Sequence, residues 1–133
     1  MNFLTGQKVI DVEIEALKLL RKTISKKKFE LTLNYLHETK GKIIFSGIGK
    51  SGHIASKISS TMSSIGSSSF FLHPSEANHG DLGMINQNDA VLLLSYSGET
   101  DEVLKVLNYC KKNKILCIGI SSEKKSSLAT NAD

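Results

Sequence analysis

Four short apolar runs, at residues 42–46, 69–72, 90–95 and 115–120, constrain the fold of this chain more than any other feature. A strand with one face in water alternates apolar and polar residues. These runs barely alternate, so they call for burial on both faces, the condition of a parallel sheet held between two helical layers. Between the runs the apolar residues switch to helical spacing. Ile54, Ile58, Met62 and Ile65 form one stripe, with Ser56, Lys57, Ser60 and Ser64 away from it. Val103, Val106, Leu107 and Cys110 form a second, with Lys105, Asn108 and Lys112 outside. The first stripe runs through the serine-rich tract at 59–69, which therefore reads as helix, turn and strand rather than as a linker. Strands alternating with helices predict an α/β fold: a three-layer sandwich around a mostly parallel, doubly wound sheet of flavodoxin-like type.

Two helices precede the first strand. Ile10, Ile14, Leu17 and Ile24 recur at helical spacing and predict a helix over about residues 9–23. Ser25 is placed to cap a second, with Phe29, Leu33 and Leu36 on one stripe and Gly41 as its stop. Residues 126–133 read as a short helical turn leading toward another strand, and there the sequence stops. A sheet of four strands leaves one edge and one helical face uncovered. The expectation is a single domain over residues 1–133 that is the N-terminal part of a longer protein.

The 133 residues suffice for one hydrophobic core and are too few for two ordinary domains. No apolar stretch is long enough to span a bilayer, and acids stand where a signal peptide would carry its apolar region, so the expected location is cytoplasmic, with no membrane partner. The formal net charge of +4 raises the question of nucleic acid. The lysines fall into separate clusters (Lys26 to Lys28; Lys111, Lys112 and Lys114; Lys124 and Lys125) with no interleaved aromatics, which argues against a nucleic-acid partner. Cys110 and Cys117 fall on a helix and a buried strand, without metal-ligand spacing, and read as reduced core residues.

The chemistry concentrates in the loops that follow strands. Ser95-Tyr96-Ser97-Gly98-Glu99-Thr100 gathers hydroxyls and a glycine between a buried strand and a helix, a place where backbone N–H groups and the positive end of a helix dipole meet an anion. Ordinary turn and capping chemistry would account for some of these residues, but not for three hydroxyls and a glycine in one loop. Gly47-Ile48-Gly49-Lys50-Ser51-Gly52 occupies the same position after the first strand and matches G-x-G-x-x-G, with Glu76 at a distance compatible with the ribose-binding acid of a dinucleotide site. A tight turn in which glycines allow close packing is the lesser alternative. A triphosphate P-loop is excluded, because its leading glycine would fall at Ile44. The third concentration, His73-Pro74-Ser75-Glu76-Ala77-Asn78-His79-Gly80-Asp81-Leu82-Gly83, follows the second strand and supplies acid-base groups. Glu99, Asp101 and Glu102 are expected in the first turn of the next helix, where acids favour the dipole and one could serve as a general base. Together the loops point to a small phosphorylated ligand.

On these three motifs the chain resembles the sugar isomerase (SIS) domain and, within it, the arabinose-5-phosphate isomerase family, over nearly its whole length. The resemblance implies interconversion of D-arabinose 5-phosphate and D-ribulose 5-phosphate, the supply of the Kdo precursor for lipopolysaccharide or capsule. It implies Lys50 and Glu102 as catalytic residues, and Ser51, Ser95, Ser97 and Thr100 as phosphate ligands. His79 would contact the sugar together with the Gly66-Ser67 turn. No cofactor is required; a divalent metal such as zinc would bind at His73. The family's members assemble as dimers or tetramers, and commonly continue into the rest of the SIS domain and a pair of CBS domains that these residues do not contain. A non-catalytic sugar-phosphate-binding regulatory module would keep the hydroxyl loops and dispense with Lys50, His79 and Glu102; their joint presence favours the enzyme.

Overall fold

The computed structural model describes residues 3–133, which divide into two compact units, the first ending at Asn34 and the second running from Tyr35 to Asp133. The first holds helix α1 (Phe3–Thr23) and most of α2 (Lys26–Glu38). Helix α1 begins earlier than its apolar stripe suggested. Ser25 caps α2 as expected, its Oγ accepting from the Lys28 N–H at 3.3 Å.

In the second unit four parallel strands, β1 (Ile43–Gly47), β2 (Ser69–Leu72), β3 (Ala90–Leu94) and β4 (Leu116–Ile120), pair in the order β2-β1-β3-β4. Each apolar run became a strand. Helix α3 (Gly49–Ser64) joins β1 to β2, and α4 (Pro74–Ala77) with a 3-10 turn (Asp81–Met84) leads to β3. Helix α5 (Asp101–Lys112) joins β3 to β4, and α6 (Ser127–Asn131) follows β4. The period-2 direction of strand side chains sorts the core into two layers. Ile44, Val91, Leu93 and Cys117 meet Val103, Val106, Leu107 and Cys110 of α5 on one face. Ile43, Phe45, Leu92, Leu94 and Ile118 meet Ala55, Ile58 and Met62 of α3, with Tyr35 and Leu36, on the other.

The α5 stripe is buried as its spacing required. The α3 stripe is buried only in part, through Ile58 and Met62. Gly52, Ala55 and Ser59 make the buried face, while Ile54 and Ile65 are exposed. The helix lies too close to β1 for large side chains at its start, so small residues take the contact there and Ile54 is turned outward. Both cysteines are free and buried. A hydrogen bond with the Cys110 thiol, reinforced by burial, pushes the Cys117 thiol far above its ordinary value and keeps it from acting as a nucleophile.

At the edge opposite the loops that follow β1 and β3, the buried Asp89 carboxylate accepts from the backbone N–H of Lys42 at 2.7 Å and of Asn86 at 2.8 Å, tying the start of β1 to the start of β3. Asp89→Ala strands two donors, each costing about 1–3 kcal/mol when left without a partner. A urea titration is expected to show a loss of roughly 3 kcal/mol, with a smaller loss for Asp89→Asn, which keeps one acceptor oxygen.

Candidate functional site

Strands β1 and β3 are neighbours, yet their crossovers diverge: α3 carries the chain to β2 on one flank and α5 carries it to β4 on the other. Such a switch in direction opens a crevice at the carboxyl ends of the strands, where open α/β sheets bind ligands. Gly47 pairs with Leu94, so the loops after β1 and β3 start side by side. A cavity of about 500 Å³ lies there, lined by Lys50, Ser51 and Ile54 of α3, by Leu94, Ser95 and Tyr96 at the end of β3, and by Ile120, Ser121 and Ser122 at the end of β4.

Glycines let these parts approach. A Cβ on Gly52 would stand 2.6 Å from the carbonyl oxygen of Gly47, closer than any side chain tolerates, so the first turn of α3 packs directly on the end of β1. Gly98 has φ +71° and lies against the Ser126 side chain, where a Cβ would overlap it.

The β3 loop is built by its own hydroxyls. Ser95, 4% exposed, accepts from the Gly98 N–H at 3.0 Å and shares a hydrogen with Thr100 Oγ1 at 2.9 Å. Ser97 Oγ accepts from the Glu99 N–H at 3.2 Å and keeps its own proton to donate. The backbone N–H groups of Tyr96, Ser97 and Thr100 donate to nothing among the described residues. Across the cavity, the opening turn of α3 has amides that no carbonyl one turn earlier can satisfy, with Lys50 exposed and Ser51 half-buried among them. Amides and hydroxyls from two crossovers, a lysine and the positive ends of two helices together suit a small dianionic ester.

The remaining expected residues fall as follows. Glu102 stands half-buried in the first turn of α5, beyond the cavity lining. His79 is exposed between α4 and the 3-10 turn, in the segment that follows β2. The Gly66-Ser67 turn precedes β2 and lines a separate cavity with Thr39, Gly41 and Ile43, at the amino edge of the sheet. Within one chain it does not join Lys50 and Ser95, because a helix-to-strand turn in a parallel sheet always falls at the edge opposite the strand-to-helix loops. His73 is half-buried and caps α4. Its Nδ1 accepts from the Ser75 N–H at 3.3 Å and its ring meets Phe71 edge-on at 6.2 Å. Among the described residues no three His, Cys, Asp or Glu side chains group as metal ligands. A single imidazole nitrogen does not compose a resident metal site.

Glu99 is not in the first turn of α5. It precedes the helix, and its Oε1 accepts from the Ser127 N–H at 2.6 Å, the opening amide of α6. That bond holds the Glu99 carboxyl below its ordinary value of 4.5. A lowered carboxyl contributes stability at pH above the unfolded value and loses it as pH falls through the folded one. Thermal melts from pH 6 to pH 3 should therefore fall more steeply for the unaltered protein than for Glu99→Gln, which cannot titrate.

Sequence reasoning missed Ser121 and Ser122. The signal was present, since the apolar run of β4 ends in paired hydroxyls just as that of β3 does.

Comparison with known proteins agrees with the architecture. The family model for the SIS domain matches residues 35–133, and the chain belongs to the SIS domain family. It is 48% identical over 118 residues to arabinose 5-phosphate isomerase KpsF of Escherichia coli O6:H1, covering 89% of this chain and 36% of that protein. To arabinose 5-phosphate isomerase KdsD of Yersinia pestis it is 42% identical over 128 residues, covering 96% of this chain and 39% of that protein. The chain thus spans about two fifths of the curated relatives' length. The solved structure of the Escherichia coli CFT073 protein c3406 in complex with arabinose 5-phosphate superposes with a TM-score of 0.85 at 38% identity, covering all of this chain and 72% of that one. No helix among the described residues is long and apolar enough to cross a membrane.

Proposed function

We propose that the protein is an aldose-ketose isomerase acting on D-arabinose 5-phosphate and D-ribulose 5-phosphate, in supply of a Kdo precursor. The observation that carries the reading is the cavity at the β1/β3 switch point, where Lys50, Ser51 and Ser95 from separate crossovers line one space beside unpaired loop amides. The names of relatives at 42–48% identity support the choice of sugar.

The phosphate sits between the two loops, held by the Ser51 and Ser97 hydroxyls and the free amides; Ser95 and Thr100 hold the loop in shape. Isomerisation then requires removal of the proton on the carbon next to the aldehyde, passage through an enediolate, and return of the proton to the neighbouring carbon. Glu102 is the general base that takes and returns that proton. Lys50 stabilises the negative charge that grows on the sugar oxygens. His79 moves protons between those oxygens or opens the ring. Each step falls to a side chain of the protein, so the reading requires no cofactor. The protein works in the cytoplasm as a dimer or tetramer. The apolar residues of α1, none of them buried, favour such self-association, which sedimentation velocity would measure.

The test is incubation of the full-length protein with ribulose 5-phosphate, with arabinose 5-phosphate expected as product by NMR. Sugar-phosphate binding without turnover would instead identify a regulatory binding module.

A further inference from the structure

The β3 loop does not hold its shape alone, and the residues that restrain it come from the segment after β4. The Tyr96 carbonyl oxygen accepts two hydrogen bonds from one residue, from Ser122 N–H at 3.0 Å and from Ser122 Oγ at 2.8 Å. A carbonyl held by two donors cannot swing. Because the peptide is planar and trans, the N–H of the following residue points away from that carbonyl, so fixing the Tyr96 C=O also fixes the Ser97 N–H. That N–H is one of the loop amides with no partner among the described residues. Further along the loop, Leu128 N–H donates to the Gly98 carbonyl at 3.0 Å, which leaves the Tyr96–Ser97 peptide dependent on Ser122 for its direction. Ser122 itself is exposed and lines the cavity, so no packing demand explains its hydroxyl.

The geometry points to Ser122 as a positioning residue that aims the Ser97 amide at the phosphate. The inference rests on the phosphate-binding reading of this loop. In orienting a donor before the ligand arrives, Ser122 lowers the ordering cost of binding. Its backbone bond survives substitution, so the loss is partial.

The experiment compares the unaltered full-length protein with Ser122→Ala and Ser122→Thr, using inorganic phosphate in calorimetry and in 15N–1H spectra, and arabinose 5-phosphate in steady-state kinetics. Ser122→Ala is expected to weaken phosphate binding and raise KM about 5–10-fold, the effect of losing one hydrogen bond, with kcat within about twofold. Ser122→Thr, which restores the hydroxyl, should return both to within about twofold of the unaltered protein. Phosphate should move the Ser97 amide resonance less in Ser122→Ala than in the other two. Equal phosphate affinity in Ser122→Ala and the unaltered protein overturns the assignment, as does a fall in kcat alone or a failure of threonine to rescue. Phosphate binding that responds to Ser122 in a protein without turnover leaves the clasp standing and removes the isomerase reading. Absence of phosphate binding in the unaltered protein removes both.

Discussion

Replacing Glu102 with Gln should lower kcat by about a thousandfold while leaving sugar-phosphate affinity within a few-fold, because a positioned general base contributes on the order of 10² to 10⁴ to a proton transfer. Gln matches Glu in shape and keeps its place in the first turn of α5, so the loop and its hydroxyl bonds should survive. What it would lose, on the proposed role, is the ability to accept a proton from carbon. Single-turnover exchange of the substrate's C2 hydrogen with deuterated water isolates that step and should fall in parallel with kcat. Unchanged exchange would transfer the base to another group, and the nearby acids Asp101 and Glu99 differ in a useful way: the first is exposed in the same turn, whereas the second is already engaged with the Ser127 amide.

The second large effect is expected at Gly52. A methyl group there would collide with the Gly47 carbonyl, a backbone atom at the end of a fully buried strand, so relief must come from α3 moving outward. Overpacking of this kind costs about 1–3 kcal/mol, and at a helix-to-strand contact without flexible neighbours Gly52→Ala should fall at the upper end, near 3 kcal/mol in a denaturant titration. The displacement also carries Lys50 and Ser51 away from the β3 loop. Phosphate affinity should therefore fall by at least tenfold even under conditions where the variant remains folded. A variant as stable as the parent would show that α3 does not need this approach.

Much of this was legible before any coordinates. Val91, Leu92, Leu93 and Leu94 declared a strand buried on both faces, and the switch from continuous to helical apolar spacing declared the crossovers. The placement of the motif residues in loops after buried strands was legible because hydroxyls and glycines end an apolar run. Local pattern failed where the contact depended on distance between elements. Ile54, Ile58, Met62 and Ile65 make a convincing stripe on paper, and Ile58 and Met62 do reach the core, but α3 approaches β1 through Gly52 and Ala55, so Ile54 turns outward and Ile65 ends exposed. Glu99 is an acid near a helix start, as expected, but the helix it serves is α6, close only in space. Gly66 and Ser67 stand before β2, at the edge opposite the β1 and β3 loops of the same chain, a placement that no local window shows.

The sequence by itself determined the class of fold, the order of strands and helices along the chain, and which loops gather hydroxyls and glycines, since these depend on periodicity and residue type within short windows. Tertiary structure decided which loops meet, which hydroxyls are spent on shaping the β3 loop, and that the segment after β4 restrains it. Strand order and the distance between packed elements are collective results of burying two faces of one sheet, and no local window contains them.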